Sequence, residues 1–169
     1  MIFDPAHPPK GTVRDWLDAR ATADGIAVVF PERSETLTWR SLRDDVRDMA
    51  QKMAARGIDK GESVAIIHPN GREGLVATYA TLYGGFRATM INLAAGPDAI
   101  AYALDHSGAR FAIVHPSQSE TFAKVAPKGV VELTPATLTA TAELADINPD
   151  DHALLMYTSG TTGKPKGVV

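Results

Sequence analysis

Cysteine is absent from the chain, which excludes a disulfide framework and a thiolate metal site within it. The absence agrees with a reducing compartment, and a cytoplasmic location is expected. No apolar run approaches the roughly eighteen residues of a membrane span. The start, Met-Ile-Phe-Asp-Pro-Ala-His-Pro-Pro-Lys, lacks a basic stretch followed by an apolar one, so no signal peptide is expected. Neither sign of charge prevails: the formal net charge is −3, and Lys and Arg are scattered except for Lys164 and Lys166. That balance offers no field for nucleic acid or an anionic membrane. Internal repeats and low-complexity runs are missing too. What remains is the composition of a soluble globular protein, 44% hydrophobic and 22% charged over 169 residues. The length suffices for one domain or for part of a larger one.

Periodicity supplies the organisation. The opening ten residues, with three prolines, form an extended lead-in. Thr12 suits the N-cap of a short helix whose Val13, Trp16 and Leu17 share one face. A strand follows at 26–30 and a turn at 31–34. Leu42, Val46, Met49, Ala50 and Met53 then recur at helical spacing. Gly57 stands where a left-handed cap ends that helix, with Ile58 as its apolar contact. Beyond it, strands are expected at 63–67, 88–91, 111–114, 130–133 and 153–157. Helices are expected between them at 73–83, 97–107 and 117–125. Pro97 and Gly108 bracket the second of these as helix ends require. Such alternation predicts an α/β fold, layered, with a largely parallel sheet and helices on both faces. Segment 134–150, rich in Thr, Ala, Pro and Asp, reads as a solvated surface connector.

Chemistry concentrates in Tyr157-Thr158-Ser159-Gly160-Thr161-Thr162-Gly163-Lys164-Pro165-Lys166-Gly167. Glycines let backbone N–H groups close on an anion, Ser and Thr hydroxyls donate to phosphate oxygens, and lysine adds charge. The apolar strand before it delivers the loop to the sheet edge where α/β proteins bind ligands. A Walker loop is excluded. Only Thr161 and Thr162 separate Gly160 from Gly163-Lys164, and Pro165 would oppose the helix that such a loop opens. Other conspicuous side chains suggest no site. His68, beside Pro69-Asn70, has no partner in view, and His7, His106, His115 and His152 are too dispersed for a metal. Trp16 and Trp39 read as packing anchors, and Tyr79 and Tyr83 as core. Asp44, Asp45 and Asp48 read as the wet face of their helix.

The loop resembles the phosphate-loop signature of the adenylate-forming superfamily: acyl- and aryl-CoA synthetases, luciferases and the adenylation domains of peptide synthetases. From Thr158 to Lys166 it departs from that signature nowhere. Earlier stretches resemble the family in the same order. They begin with Leu37-Thr38-Trp39-Arg40-Ser41-Leu42, where Trp39 replaces the usual Tyr, and continue through the turn and strand at 57–66 and through Pro69-Asn70. Segments 85–92, with Met90 in place of the usual Pro, and 103–110 follow. The resemblance covers nearly the whole chain, from about Thr12 onward.

The resemblance implies that a carboxylate attacks the α-phosphate of ATP, giving an acyl-adenylate and pyrophosphate, after which coenzyme A displaces AMP. Thr158, Ser159, Gly160, Thr161, Thr162 and Gly163 would wrap the triphosphate. Lys164 and Lys166 would screen its charge, Lys166 by direct contact, and Thr161 would lie near the bound Mg²⁺. Asn92 points to the acid–CoA ligase branch, since carrier-protein-loading adenylation domains commonly carry Asp there. Residues 1–169 would form the incomplete N-terminal portion of the adenylation domain, ending just after the phosphate loop. The acyl pocket, the adenine and ribose contacts, the metal-binding glutamate and the catalytic lysine would lie beyond Val169. No catalytic residue, and no turnover by this chain alone, is therefore expected. The alternative from another class is a non-catalytic truncated product acting only through interactions. A domain cut there would bare an apolar face, a surface for self-association.

Overall fold

The structure is a computed structural model and describes residues 10–158 and 165–169. The chain begins with α1 (Val13–Ala21), the strands β1 (Ile26–Phe30) and β2 (Glu35–Thr38), and α2 (Trp39–Ala55). Strands and helices then alternate: β3 (Ser63–Ile67), α3 (Arg72–Tyr83), β4 (Arg87–Met90), α4 (Pro97–Ser107), β5 (Phe111–Val114), α5 (Ser119–Val125) and β6 (Val131–Leu133). Two strands, β7 (Leu154–Thr158) and β8 (Lys166–Val168), complete it.

Local chemistry sets the helix ends. Asp15 N donates to Thr12 Oγ1 at 3.3 Å, and Thr12 N donates to Asp15 Oδ2 at 2.7 Å, a reciprocal capping box. Thr38 and Ser41 repeat the arrangement at the start of α2, with bonds of 3.1 and 3.0 Å. Gly57 (φ +82°) and Gly108 (φ +64°) close α2 and α4 in the left-handed region, as the sequence required.

β1 and β2 form an antiparallel pair of their own. The main sheet has the order β6-β5-β3-β4-β7-β8. Every pairing in it is parallel except β7 with β8. β3 is buried along its whole length. Its side chains alternate: Val64 and Ile66 pack with Leu42, Val46, Met53 and Tyr83. Ala65 and Ile67 pack on the other face with Ile100, Leu104 and Phe122. β5 repeats the division, Phe111 and Ile113 against Ala112 and Val114. The first three helices thus cover one face, and α4 and α5 the other. This is the two-sided cover that continuous apolar runs of parallel strands demand.

The connector between β6 and β7 must return from one side of the sheet past β5, β3 and β4, roughly 19 Å at the usual strand spacing. It has no regular element, in line with the sequence reading, yet it is fastened along its course. Leu138 and Leu144 pack on the first core. Ala142 N donates to Gln51 O at 3.1 Å, Arg14 Nη2 donates to Ala145 O at 3.0 Å, and Lys60 pairs with Asp151 at 2.8 Å. Ile147 sits directly over Gly85.

Several expectations shift. β8 was not foreseen, and the helix expected from 117 starts as a 3-10 turn, Pro116–Gln118, ahead of α5. Trp16 is no packing anchor: it is 42% exposed, and its indole N–H donates to Lys10 O at 2.9 Å. Trp39 and Tyr79 are half-buried against the core, and Tyr83 is buried with its hydroxyl donating to Asp18 at 2.9 Å. Asp44 and Asp48 are exposed, while Asp45 is half-buried against Arg72. On the outer strands, Leu154, Met156 and Val168 are 37%, 49% and 53% exposed. Leu154 and Met156 share a face by alternation and Val168 lies opposite Met156, so they form one bare apolar strip.

The fastening of the connector is testable with two glycines of like backbone. Gly57 (φ +82°) has open space beside it, whereas a Cβ on Gly85 (φ +79°) would collide with Ile147 Cγ2. Gly57→Ala is expected to cost about 1–2 kcal/mol from backbone alone, and Gly85→Ala about 2–4 kcal/mol. Urea unfolding of both variants measures the difference.

Candidate phosphate-binding site

The signature segment starts on β7 and returns on β8. Thr158 faces Lys166, Tyr157 faces Gly167 and Met156 faces Val168. The Thr158 hydroxyl points to Lys166 O at 3.5 Å, the limit of a hydrogen bond. Thr158 and Lys166 are both exposed. Of the predicted site residues these two are brought together. Ser159, Gly160, Thr161, Thr162, Gly163 and Lys164 lie outside the described residues. β7 lies beside β4 in parallel, so Thr158 stands at the carboxyl edge of the sheet, where such folds bind ligands.

The last turn of α4 touches β7 from one face. Its His106 Nδ1 lies 3.0 Å from the Tyr157 hydroxyl, and Tyr102, one turn earlier, stacks on the imidazole at 5.4 Å. Burial above all, reinforced by Tyr102 and opposed by Arg87, pushes the Tyr157 phenol up. The phenol therefore keeps its proton at neutral pH. Sequence reading passed over His106, because the contact joins residues far apart in the chain. Asn92, used to choose a branch, closes a local turn: its Oδ1 accepts from Ala94 N at 3.0 Å. A carboxylate would accept that bond equally well.

A family model described as "AMP-binding enzyme" matches residues 16–169. The chain belongs to that family. One relative is the sulfoacetate–CoA ligase of Cupriavidus necator, 31% identical over 156 residues, which cover 84% of this chain and 31% of that protein. The inhibitor-bound N-terminal domain of FACL13 from Mycobacterium tuberculosis superposes with a TM-score of 0.84 at 27% identity. The match covers 94% of this chain and 44% of that one. O-succinylbenzoate CoA synthetase from Bacillus subtilis, in complex with ATP and magnesium ion, gives 0.75 at 27% identity, covering 90% and 42%. The chain spans about a third of the length of the curated CoA ligases it matches. Among the described residues, no helix is long and apolar enough to cross a membrane.

In this AMP-binding domain a second polar crevice opens at the same edge, between β3 and β5. A cavity of about 210 Å³ is lined by Arg33, His68, Asn70, Glu73 and His115, among others. His68 directly follows β3 and His115 directly follows β5, and their rings meet edge to face at 4.9 Å. The sequence signal for this pair was each histidine's place one residue past a buried apolar strand. Cations here are already matched, Arg33 with Glu73 at 2.6 Å and Arg72 with Asp45 at 2.7 Å. Among the described residues, no group of three His, Cys, Asp or Glu could hold a metal ion.

Burial first, and then His115, hold the His68 imidazole below its ordinary range, with Glu73 opposing. A histidine whose folded pKa is depressed contributes fully above the unfolded value, about 6.5, and loses that contribution as pH falls through the folded value. The urea midpoint should therefore fall between about pH 7 and about pH 5. His68→Gln, which does not titrate, should make that fall shallower.

Proposed function

We propose that residues 1–169 are the front portion of the adenylation domain of an acid–CoA ligase. The full-length protein activates a carboxylic acid with ATP to an acyl-adenylate and transfers the acyl group to coenzyme A. The observation that carries this reading is the unbroken phosphate signature strung between directly paired residues, Thr158 and Lys166, at the carboxyl edge of the sheet. The family match and the CoA-ligase relatives support it.

In this reading the chain's own groups manage phosphate charge. Backbone N–H groups and hydroxyls from Thr158 through Gly163 cradle the triphosphate. Lys164 and Lys166 offset the charge that builds on the departing pyrophosphate, a stabilisation specific to the transition state. Thr161 presents its hydroxyl to Mg²⁺, which supplies further neutralisation of the phosphates when bound. Lys166 belongs to a strand anchored on β7, so its charge is delivered from a fixed base. The strip of Leu154, Met156 and Val168 is covered by further polypeptide of the domain, and in the 169-residue chain by itself it is open to self-association. That chain alone holds phosphate contacts without turnover. A cytoplasmic setting, where ATP and coenzyme A are at hand, suits the activity.

In the full-length protein, Lys166→Ala is expected to lower acid-dependent ATP–pyrophosphate exchange by about tenfold or more, assayed over a panel of carboxylic acids. Exchange at the wild-type rate would remove the role given to Lys166.

A further inference from the structure

The loop's two feet are paired with each other, and one of them has a contact outside the loop. Tyr157 precedes Thr158 on β7, Gly167 follows Lys166 on β8, and the two are direct cross-strand partners. His106 touches the first and stands near the second. Its Nδ1 lies 3.0 Å from the Tyr157 hydroxyl. A Cβ placed on Gly167 would stand 3.7 Å from His106 Cε1 and 3.6 Å from Tyr157 Cε1, so both rings stand beside the space that the glycine leaves open on β8. The imidazole is itself held. Tyr102 stacks on it, and the two rings are 26° from parallel. α4 is seated on the sheet by Ile100, Ala103 and Leu104, all buried. Its last turn is tied to β4, where Arg87 Nη2 donates to Ser107 O at 3.3 Å.

We infer that His106 is a positioning residue for triphosphate binding: one imidazole, buttressed by Tyr102, holds through Tyr157 the hairpin from which the phosphate loop springs. The inference rests on the phosphate-loop reading above. A hairpin pinned only by its own short ladder can twist about β7, because β8 is an outer strand with β7 as its sole partner among the described residues. The His106 bond restrains Tyr157 on β7, and the ladder passes that restraint to Gly167 on β8. Thr158 and Lys166, the adjoining residues, inherit the restraint. Preorganising them lowers the ordering cost that a bound triphosphate must otherwise meet. AMP lacks the β- and γ-phosphates and gains nothing from this device.

The test titrates the full-length protein with MgATP and, separately, with AMP by calorimetry. His106→Ala and Tyr157→Phe are each expected to weaken MgATP about three- to tenfold while leaving AMP unchanged. The double variant should be no weaker than either single one, since both remove the same bond. His106→Asn, whose amide group can stand in for Nδ1, should recover most of the loss. Amide exchange at Thr158, Lys166 and Gly167 should quicken in His106→Ala at an unchanged urea midpoint, a readout independent of nucleotide. Wild-type MgATP affinity and wild-type exchange in a folded His106→Ala would overturn the inference, as would equal loss of ATP and AMP. Lys166→Ala run alongside separates two failures. If it too binds MgATP like wild type, the phosphate-loop reading falls and takes this inference with it. If it is impaired while His106→Ala is not, only the inference falls.

Discussion

Everything in this fold follows from β3 having no solvent face. Val64 and Ile66 need cover on one side, and Ala65 and Ile67 on the other. A strand buried on both sides must receive helices from both directions, so the chain crosses over the sheet first through α3 and then through α4. The crossovers place β4 and β5 on opposite flanks of β3 and leave all their carboxyl ends at one edge. That edge then becomes the place where loops of chemical interest accumulate. The buried Ser63 and Thr89 hydroxyls, 2.5 Å apart across β3 and β4, satisfy each other, so burial leaves neither without a partner.

The phosphate signature occupies this edge by a less direct route. β7 does not follow a helix that crosses the sheet. It arrives by a long irregular strap laid over α1, α2 and the turn at Gly85. Once paired with β4, it extends the parallel array by one strand and presents Thr158 beyond it, and β8 then folds back on it antiparallel. Two histidine-bearing contacts flank β4. His68 meets His115 at one, and His106 meets Tyr157 at the other. The first is matched by nearby ion pairs, whereas the second bears on the strands that carry the signature.

Much of this was legible in the residues because the causes were local. Thr12, Gly57 and Gly108 act on the backbone within a few positions of themselves, and the helix ends fell where they stand. The run Ser63–Ile67 and the run Phe111–Val114 were readable as strands because apolar side chains continue without a break. The phosphate signature was readable because its residue order is specific. Partnerships across the fold were not readable. The indole of Trp16 found a carbonyl at Lys10 and so stayed at the surface, and no periodicity encodes that. β8 is short and glycine-containing, and becomes a strand only because β7 offers it a ladder. His106 and His68 owe their surroundings to topology, which alternation specifies only as a class.

The strap between β6 and β7 also sets an order of assembly. From β3 through β6 the strand pairings span at most 47 residues, from Val64 to Phe111. β7 instead pairs Leu154 with Ala88 across 66 residues, the longest closure among the pairings of the main sheet. By loop closure alone, the hairpin bearing the phosphate signature is the last part of the described fold to pair. A chain caught before that step holds a finished α/β core with β4 as an open edge. Nucleotide then has no site to act on until folding is otherwise complete, so it cannot guide the early steps and can only secure the final one.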